Sequence, residues 1–158
     1  MFSMICAVGK NREIGYKNNL LWSLKSDMKH FVDVTRGHTV VMGQKTYDSL
    51  FIKPLPGRKN IVLTLDKNFQ APGCEIFYDL KEVADKYQKS DEEIFIIGGA
   101  SIYKQFLPYS TKLYLTLVDD APEADTFFPD YSEFKKIISE SETKEEKGVK
   151  YKFTEFEK

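Results

Sequence analysis

Six short runs in this chain are apolar or β-branched almost throughout: FSMICAV from Phe2, HTVVMG from His38, KNIVLTL from Lys59, CEIFY from Cys74, EEIFIIG from Glu92 and TKLYLTLV from Thr111. A strand with one face in water alternates apolar and polar residues, so runs without alternation mark strands covered on both faces. Helix-length segments separate them, at 24–35, 44–51, DLKEVADKYQK from Asp79 and ASIYKQFL from Ala100. Asp79 and Glu82 are spaced as a capping pair. This alternation predicts an α/β fold around a mostly parallel central sheet. The end of the chain differs, because EFKKIISESE and VKYKFTEFE, joined by the charged link TKEEKG, read as a terminal antiparallel hairpin. The expectation is about eight strands and four flanking helices in one domain over residues 1–158.

Charge and composition exclude several function classes. Twenty-three basic side chains against twenty-four acidic ones leave a net charge of -1. With no Lys/Arg block there is no footprint for nucleic acid or a membrane surface, which leaves a small molecule as the expected partner. Cys6 and Cys74 are expected to be free thiols, and with only two histidines the chain has no zinc-ligand set. MFSMICAVG lacks the basic region of a secretory signal, and no segment reaches membrane-spanning length, so the expected location is the cytoplasm.

The stretch LLWSLKSDMKHF carries the sharpest anomaly. As a helix it puts Leu24, Met28 and Phe31 on one stripe at i, i+4, i+7 spacing, and that stripe is expected to face the core. Asp27 falls on the same stripe. An isolated buried carboxylate costs several kcal/mol, so it must be neutralised or paired. Lys25 and Lys29, one and two positions away, point elsewhere on a helix. A ligand with an amidine-like N–H pair would satisfy Asp27; the alternative is a helix that starts later, with Asp27 a solvated first-turn residue.

Other segments gather where parallel strands end, the edge at which α/β proteins build sites. In MGQKT a strand gives way to a helix at Gly43, exposing backbone N–H groups, with Lys45 and Thr46 following. IIGGASIY repeats the pattern at Gly98 and Gly99. Each reads either as a phosphate turn or as an ordinary strand-to-helix turn, and the pair suggests the two ends of a dinucleotide. GxGxxG is absent, which excludes the common dinucleotide fold. Gly9 to Ser23 lacks periodicity and reads as a lid or a surface connection. PLPGRKN fixes a rigid turn presenting Arg58, whose planar guanidinium suits a carboxylate.

In order, ICAVGKNREIG, LLWSLKSDMKHF, VVMGQKTYDSL, LPGRKNIVLT, IIGGASIYKQFLP, LYLTLVDDAPEADTFFP and the terminal hairpin resemble dihydrofolate reductase of the bacterial chromosomal type. The resemblance spans residues 1 to 158, with a small insertion around Phe51 to Lys53. It implies NADPH-dependent reduction of 7,8-dihydrofolate to tetrahydrofolate, with Asp27 as the ionisable group of the pterin pocket, promoting protonation at N5. Thr116 matches the threonine linked to that carboxylate, and Trp22 the tryptophan that holds an ordered water. Ile5, Cys6, Ala7, Met28, Phe31, Leu50, Leu55 and Ile97 would line the folate pocket, with Arg58 on the glutamate α-carboxylate. NADPH would run from Ala7, Ile14, Gly15, Asn18 and Leu20 past Gly43, Gln44, Lys45 and Thr46 to Leu63 and Thr64, within an adenosine-binding part at roughly 38–88. Gly98, Gly99, Ala100, Ser101 and Ile102 would cover the pyrophosphate, with Tyr103 near the nicotinamide and the Gly98–Gly99 peptide cis. The resemblance further implies antifolate inhibitors as ligands and a monomer.

Departures from the family pattern concern the lid and the phosphates. Leu21 replaces the proline that usually precedes the tryptophan, and Gln44, Leu65 and Ser101 stand where basic or hydroxyl residues are common. Fewer cations weaken the discrimination of NADPH from NADH, although Lys45 and Thr64 remain. Two other readings stay open: a related pterin or pyrimidine reductase on the same fold, which would not need Asp27, Phe31 and Arg58 together, and a nucleotide-binding module without chemistry.

Overall fold

The computed structural model describes residues Met1 to Lys158. From the N-terminus, β1 (Phe2–Val8) leads through β2 (Glu13–Tyr16) and β3 (Asn19–Leu20) to helix α1 (Lys25–Thr35). There follow β4 (Thr39–Gly43), α2 (Gln44–Ser49), β5 (Lys59–Leu63), β6 (Glu75–Phe77), α3 (Leu80–Tyr87), β7 (Ile94–Gly98) and α4 (Ala100–Phe106). After a single 3-10 turn come β8 (Ser110–Val118), β9 (Thr126–Phe127), β10 (Lys136–Glu140), β11 (Lys144–Glu146) and β12 (Val149–Glu157).

The main sheet runs β10-β12-β8-β1-β7-β4-β5-β6, with β11 paired to β12. All six apolar runs are strands in it, and they pair in parallel. Only the terminal segments run antiparallel, β12 along β8 and β10 along β12. The expected hairpin is therefore present, and the link between its arms contributes the extra strand β11. β10 is exposed along its length and carries Lys136 and Glu140, a charged edge that resists pairing with another sheet.

Alternate residues of β1 face opposite layers. Met4 and Val8 join Phe2, Ile102 and Phe106 against α3 and α4, whereas Ile5 joins Val40, Met42, Tyr47 and Phe95 on the side of α1 and α2. Phe106 has no exposed surface, so truncation to Ala should cost about 3–5 kcal/mol. Asp79 caps α3, accepting from Lys81 N at 3.0 Å; Glu82 returns no side-chain bond, so half of the expected capping pair forms.

Two expectations need correction. Gly9 to Ser23 is not an unstructured loop: β2 and β3 form a hairpin whose turn residues Lys17 and Asn18 take φ of 49° and 64°, the two positive values of a type I′ turn. β9 pairs with β2 and completes a three-stranded sheet. The stripe on α1 also does not face a core throughout, since Leu24 is buried but Met28 is 60% exposed.

Candidate functional site

Asp27 stands in the first turn of α1, half-buried, opposite β8. Thr116 lies toward the C-terminal end of that strand, registered against Ala7 of β1 and Phe153 of β12, and its hydroxyl donates to Asp27 Oδ1 at 2.6 Å. No lysine or arginine bridges the carboxylate. Burial lifts its pKa above the ordinary carboxylate value, against the opposing pull of the Thr116 hydroxyl and of His30, with Glu146 adding to the rise. The result is an acid with one hydrogen bond from the protein and the capacity to accept more. Asp27 is a first-turn residue, as the alternative reading had it, but it is half-buried and bonded to Thr116 rather than solvated.

The walls follow from the strand and helix faces. Ile5, Phe31, Leu50, Leu55 and Ile97 belong to one apolar group, while Ala7 and Trp22 pack with Leu24 beside it. Met28, on α1 near them, is exposed. Cys6 departs from its expected place: its side chain packs toward the opposite layer, donates to Ala7 O at 3.4 Å, and has its thiol pushed up to about 12, chiefly by burial. Tyr103 is also buried, and its hydroxyl donates to Ile5 O at 2.7 Å, which fixes the β1 wall from behind.

Arg58 is held as the rigid turn predicts. Its Nε donates to Pro56 O at 2.9 Å and its Nη1 to Thr35 Oγ1 at 3.1 Å, and the guanidinium lies 5.9 Å from the Phe31 ring centroid. No carboxylate of the chain pairs with it, and burial together with the nearby Arg36 lowers its pKa. A planar cation with free donors beside the apolar group of Phe31 suits an anionic ligand tail.

The two glycine turns come together on the neighbouring strands β4 and β7. Gly43 caps α2 and Gly99 caps α4 without side-chain bonds, leaving first-turn N–H groups free. A Cβ on Gly43 would lie 2.9 Å from Ile102 Cγ1, so only glycine lets α4 approach. At Gly99 a Cβ would meet only Thr46 Oγ1, at 3.6 Å, which leaves open backbone there. Gly98 has φ of +122°, and the Gly98–Gly99 peptide is cis. Lys45 is exposed and unpaired. Thr64 donates to Gln44 Oε1 at 2.6 Å beside the buried Leu63, whereas Leu65 is 90% exposed. Ser101, exposed, accepts from Gln105.

The lid contributes Ile14, which is buried, with Gly15 on β2 and the exposed Asn18 and Leu20 at its hairpin. Trp22 donates its only side-chain N–H to Asp120 Oδ2 at 3.0 Å, so the expected hold on a water requires that bond to open. Sequence reasoning missed Asp120, Glu13 and Glu146. Glu13 is buried and accepts from Asn11 N at 2.7 Å. Asp120 and Glu146 have no local signal, since each acts on a residue brought near by folding, whereas Glu13 acts within its own turn.

The sequence profile of the family described as dihydrofolate reductase matches residues 1–158. Dihydrofolate reductase of Bacillus subtilis (strain 168) is 41% identical over 161 residues, covering 100% of this chain and 95% of that protein. That of Staphylococcus haemolyticus is 40% identical, covering 92% and 88%. Among solved structures, dihydrofolate reductase from Enterococcus faecalis complexed with NADP(H) and RAB-propyl superposes with a TM-score of 0.89 at 27% identity, over 99% of this chain and 95% of that one.

Proposed function

The chain belongs to the dihydrofolate reductase family and reduces 7,8-dihydrofolate to 5,6,7,8-tetrahydrofolate with NADPH; we propose that Asp27 is the residue on which this chemistry turns. The observation that carries the reading is the half-buried carboxylate bonded to Thr116 and to no cation. A pterin ring offers the missing partners, a 2-amino group and the N3 side, as a fork of donors to Asp27. That contact favours the form of the substrate that takes a proton at N5, with water as the immediate donor.

Ile5, Ala7, Phe31, Leu50, Leu55 and Ile97 would hold the ring and its aromatic extension, excluding water from the reacting face. Arg58 would bind the glutamate α-carboxylate. Trp22 closes the lid side, and Thr116 holds Asp27 in its rotamer.

The residues present fit NADPH. Free first-turn amides after Gly43 and Gly99, the open backbone at Gly99 and the unpaired Lys45 offer donors to phosphates, and Leu63 and Thr64 would hold the adenosine within an adenosine-binding part at roughly 38–88. When bound, NADPH supplies the hydride, from nicotinamide C4 to pterin C6. Ala7, Ile14, Gly15, Asn18 and Leu20 would border the nicotinamide, and Tyr103 supports that wall through Ile5.

Antifolate inhibitors would compete for the same site. No helix is long and apolar enough to cross a membrane; we read residues 1–158 as one domain of a cytoplasmic monomer. The test follows NADPH loss at 340 nm with and without dihydrofolate, wild type beside Asp27→Asn. The reading expects dihydrofolate-dependent loss that the variant lowers by about 10²- to 10⁴-fold, with NADPH binding retained. A variant of undiminished rate contradicts it.

A further inference from the structure

Helix α1 begins without a cap of its own. Its N-cap residue is Leu24, extended at φ -109° and ψ 119°, and no side chain of the adjoining segment bonds back to the first turn. First-turn amides without acceptors destabilise a helix start, and this start carries Asp27 two residues in.

The acceptor arrives from the other end of the chain. β11 and β12 join through Lys147 and Gly148, both at positive φ (54° and 76°), a two-residue turn that presents Glu146 at its shoulder. Glu146 Oε2 accepts from Lys25 N at 2.7 Å and Oε1 from Ser26 N at 3.3 Å. Lys147 Nζ donates to Ser23 O at 2.9 Å, and the hydroxyls of Ser26 and Tyr151 lie 2.6 Å apart. The hairpin tip therefore grips the chain on both sides of Leu24.

We infer that Glu146 is a positioning residue for the reaction: it caps α1 from across the chain and fixes a negative charge at the foot of the turn that carries Asp27. The inference rests on the role proposed for Asp27. A carboxylate at a helix N-terminus is favoured by the aligned peptide dipoles as well as by its two hydrogen bonds. Those bonds, with Lys147 and Lys25 nearby, hold the Glu146 carboxyl below its ordinary value, so it is ionised at neutral pH.

Its charge then acts on Asp27 in one direction. Thr116 from β8 and His30 from α1 favour the ionised Asp27, whereas burial and the Glu146 charge disfavour it. Cys6 of β1 and Tyr103 of α4 also feel Asp27, and both stay neutral near pH 7 because burial raises them. Burial is the first cause of the raised Asp27 pKa, and the ionised Glu146 adds to it, in the direction that favours proton uptake by an acid–base group.

Two variants separate the cap from the charge. Glu146→Ala removes both; Glu146→Gln keeps one acceptor and removes the charge. In the alanine variant, hydrogen exchange of the Lys25 and Ser26 amides should quicken by about fivefold, as for a lost N-cap, and Tm should fall by about 2–4 °C. In both variants the titration midpoint of Asp27, read from its side-chain carboxyl carbon by NMR in the free enzyme, should move down, and the pH profile of kcat/KM should follow it. Unchanged amide exchange in the alanine variant, or an Asp27 midpoint that stays or rises in both, overturns the inference. A midpoint that falls while the kcat/KM profile stays fixed upholds the cap and charge and defeats instead the role assigned to Asp27.

Discussion

On one side of the proposed site a single carboxylate sits beside an apolar wall, held by one hydroxyl from β8. Across from it, the turns at Gly43 and Gly98–Gly99 present main-chain donors and almost no charge. The first region depends on a side chain whose environment is assembled from α1, β8 and the β11–β12 turn. The second depends on backbone that comes close only because side chains are missing. One substitution should therefore silence the chemistry, whereas side-chain changes at the phosphate turns should only adjust which cofactor is taken.

The largest expected effect is that of Asp27→Asn on turnover, already set at about 10²- to 10⁴-fold. The same change should raise Tm at pH 7. Burial lifts the folded pKa of Asp27, so its destabilising ionised form is absent below the unfolded value and present once pH passes the folded one. Thermal melts at pH 4 and pH 7 check this; a gain as large at pH 4 as at pH 7 would break the link to ionisation.

Next in size is Arg58→Leu, which should raise KM for dihydrofolate by about 10- to 100-fold, the value of a charge-assisted hydrogen bond, with little change in kcat. A pterin lacking the glutamate should be unaffected, and steady-state kinetics on both substrates separate the cases.

The smallest concerns Gln44, whose amide oxygen is engaged by Thr64. Gln44→Arg should raise the ratio of kcat/KM for NADPH over NADH by about 10-fold, by adding a guanidinium near the expected 2′-phosphate. An unchanged ratio would show that the backbone alone sets the preference.

Much of this contrast was legible in the sequence. The six apolar runs gave the parallel sheet, and Asp27 was marked by being a carboxylate on an apolar stripe. The glycine turns stood out because helices follow strands there with at most one intervening residue. Met28 misled, since periodicity cannot tell a helix face that meets a core from one left partly open. The small sheet of β2, β3 and β9 escaped because its strands are only two to four residues long, and β9 lies far along the chain. Glu146 was invisible for a related reason: it serves a helix about 120 residues away, and the only local hint was that Leu24, the residue just before α1, cannot cap.

The most direct test of the central claim is the pH dependence of hydride transfer in a single turnover, wild type against Asp27→Asn, with NADPH pre-bound. If Asp27 promotes N5 protonation, the wild-type rate should hold a plateau near neutral pH and fall as pH rises. The variant, left to draw on substrate already protonated in solution, should gain rate steadily as pH falls, with no plateau. Identical profiles in the two proteins would contradict the account.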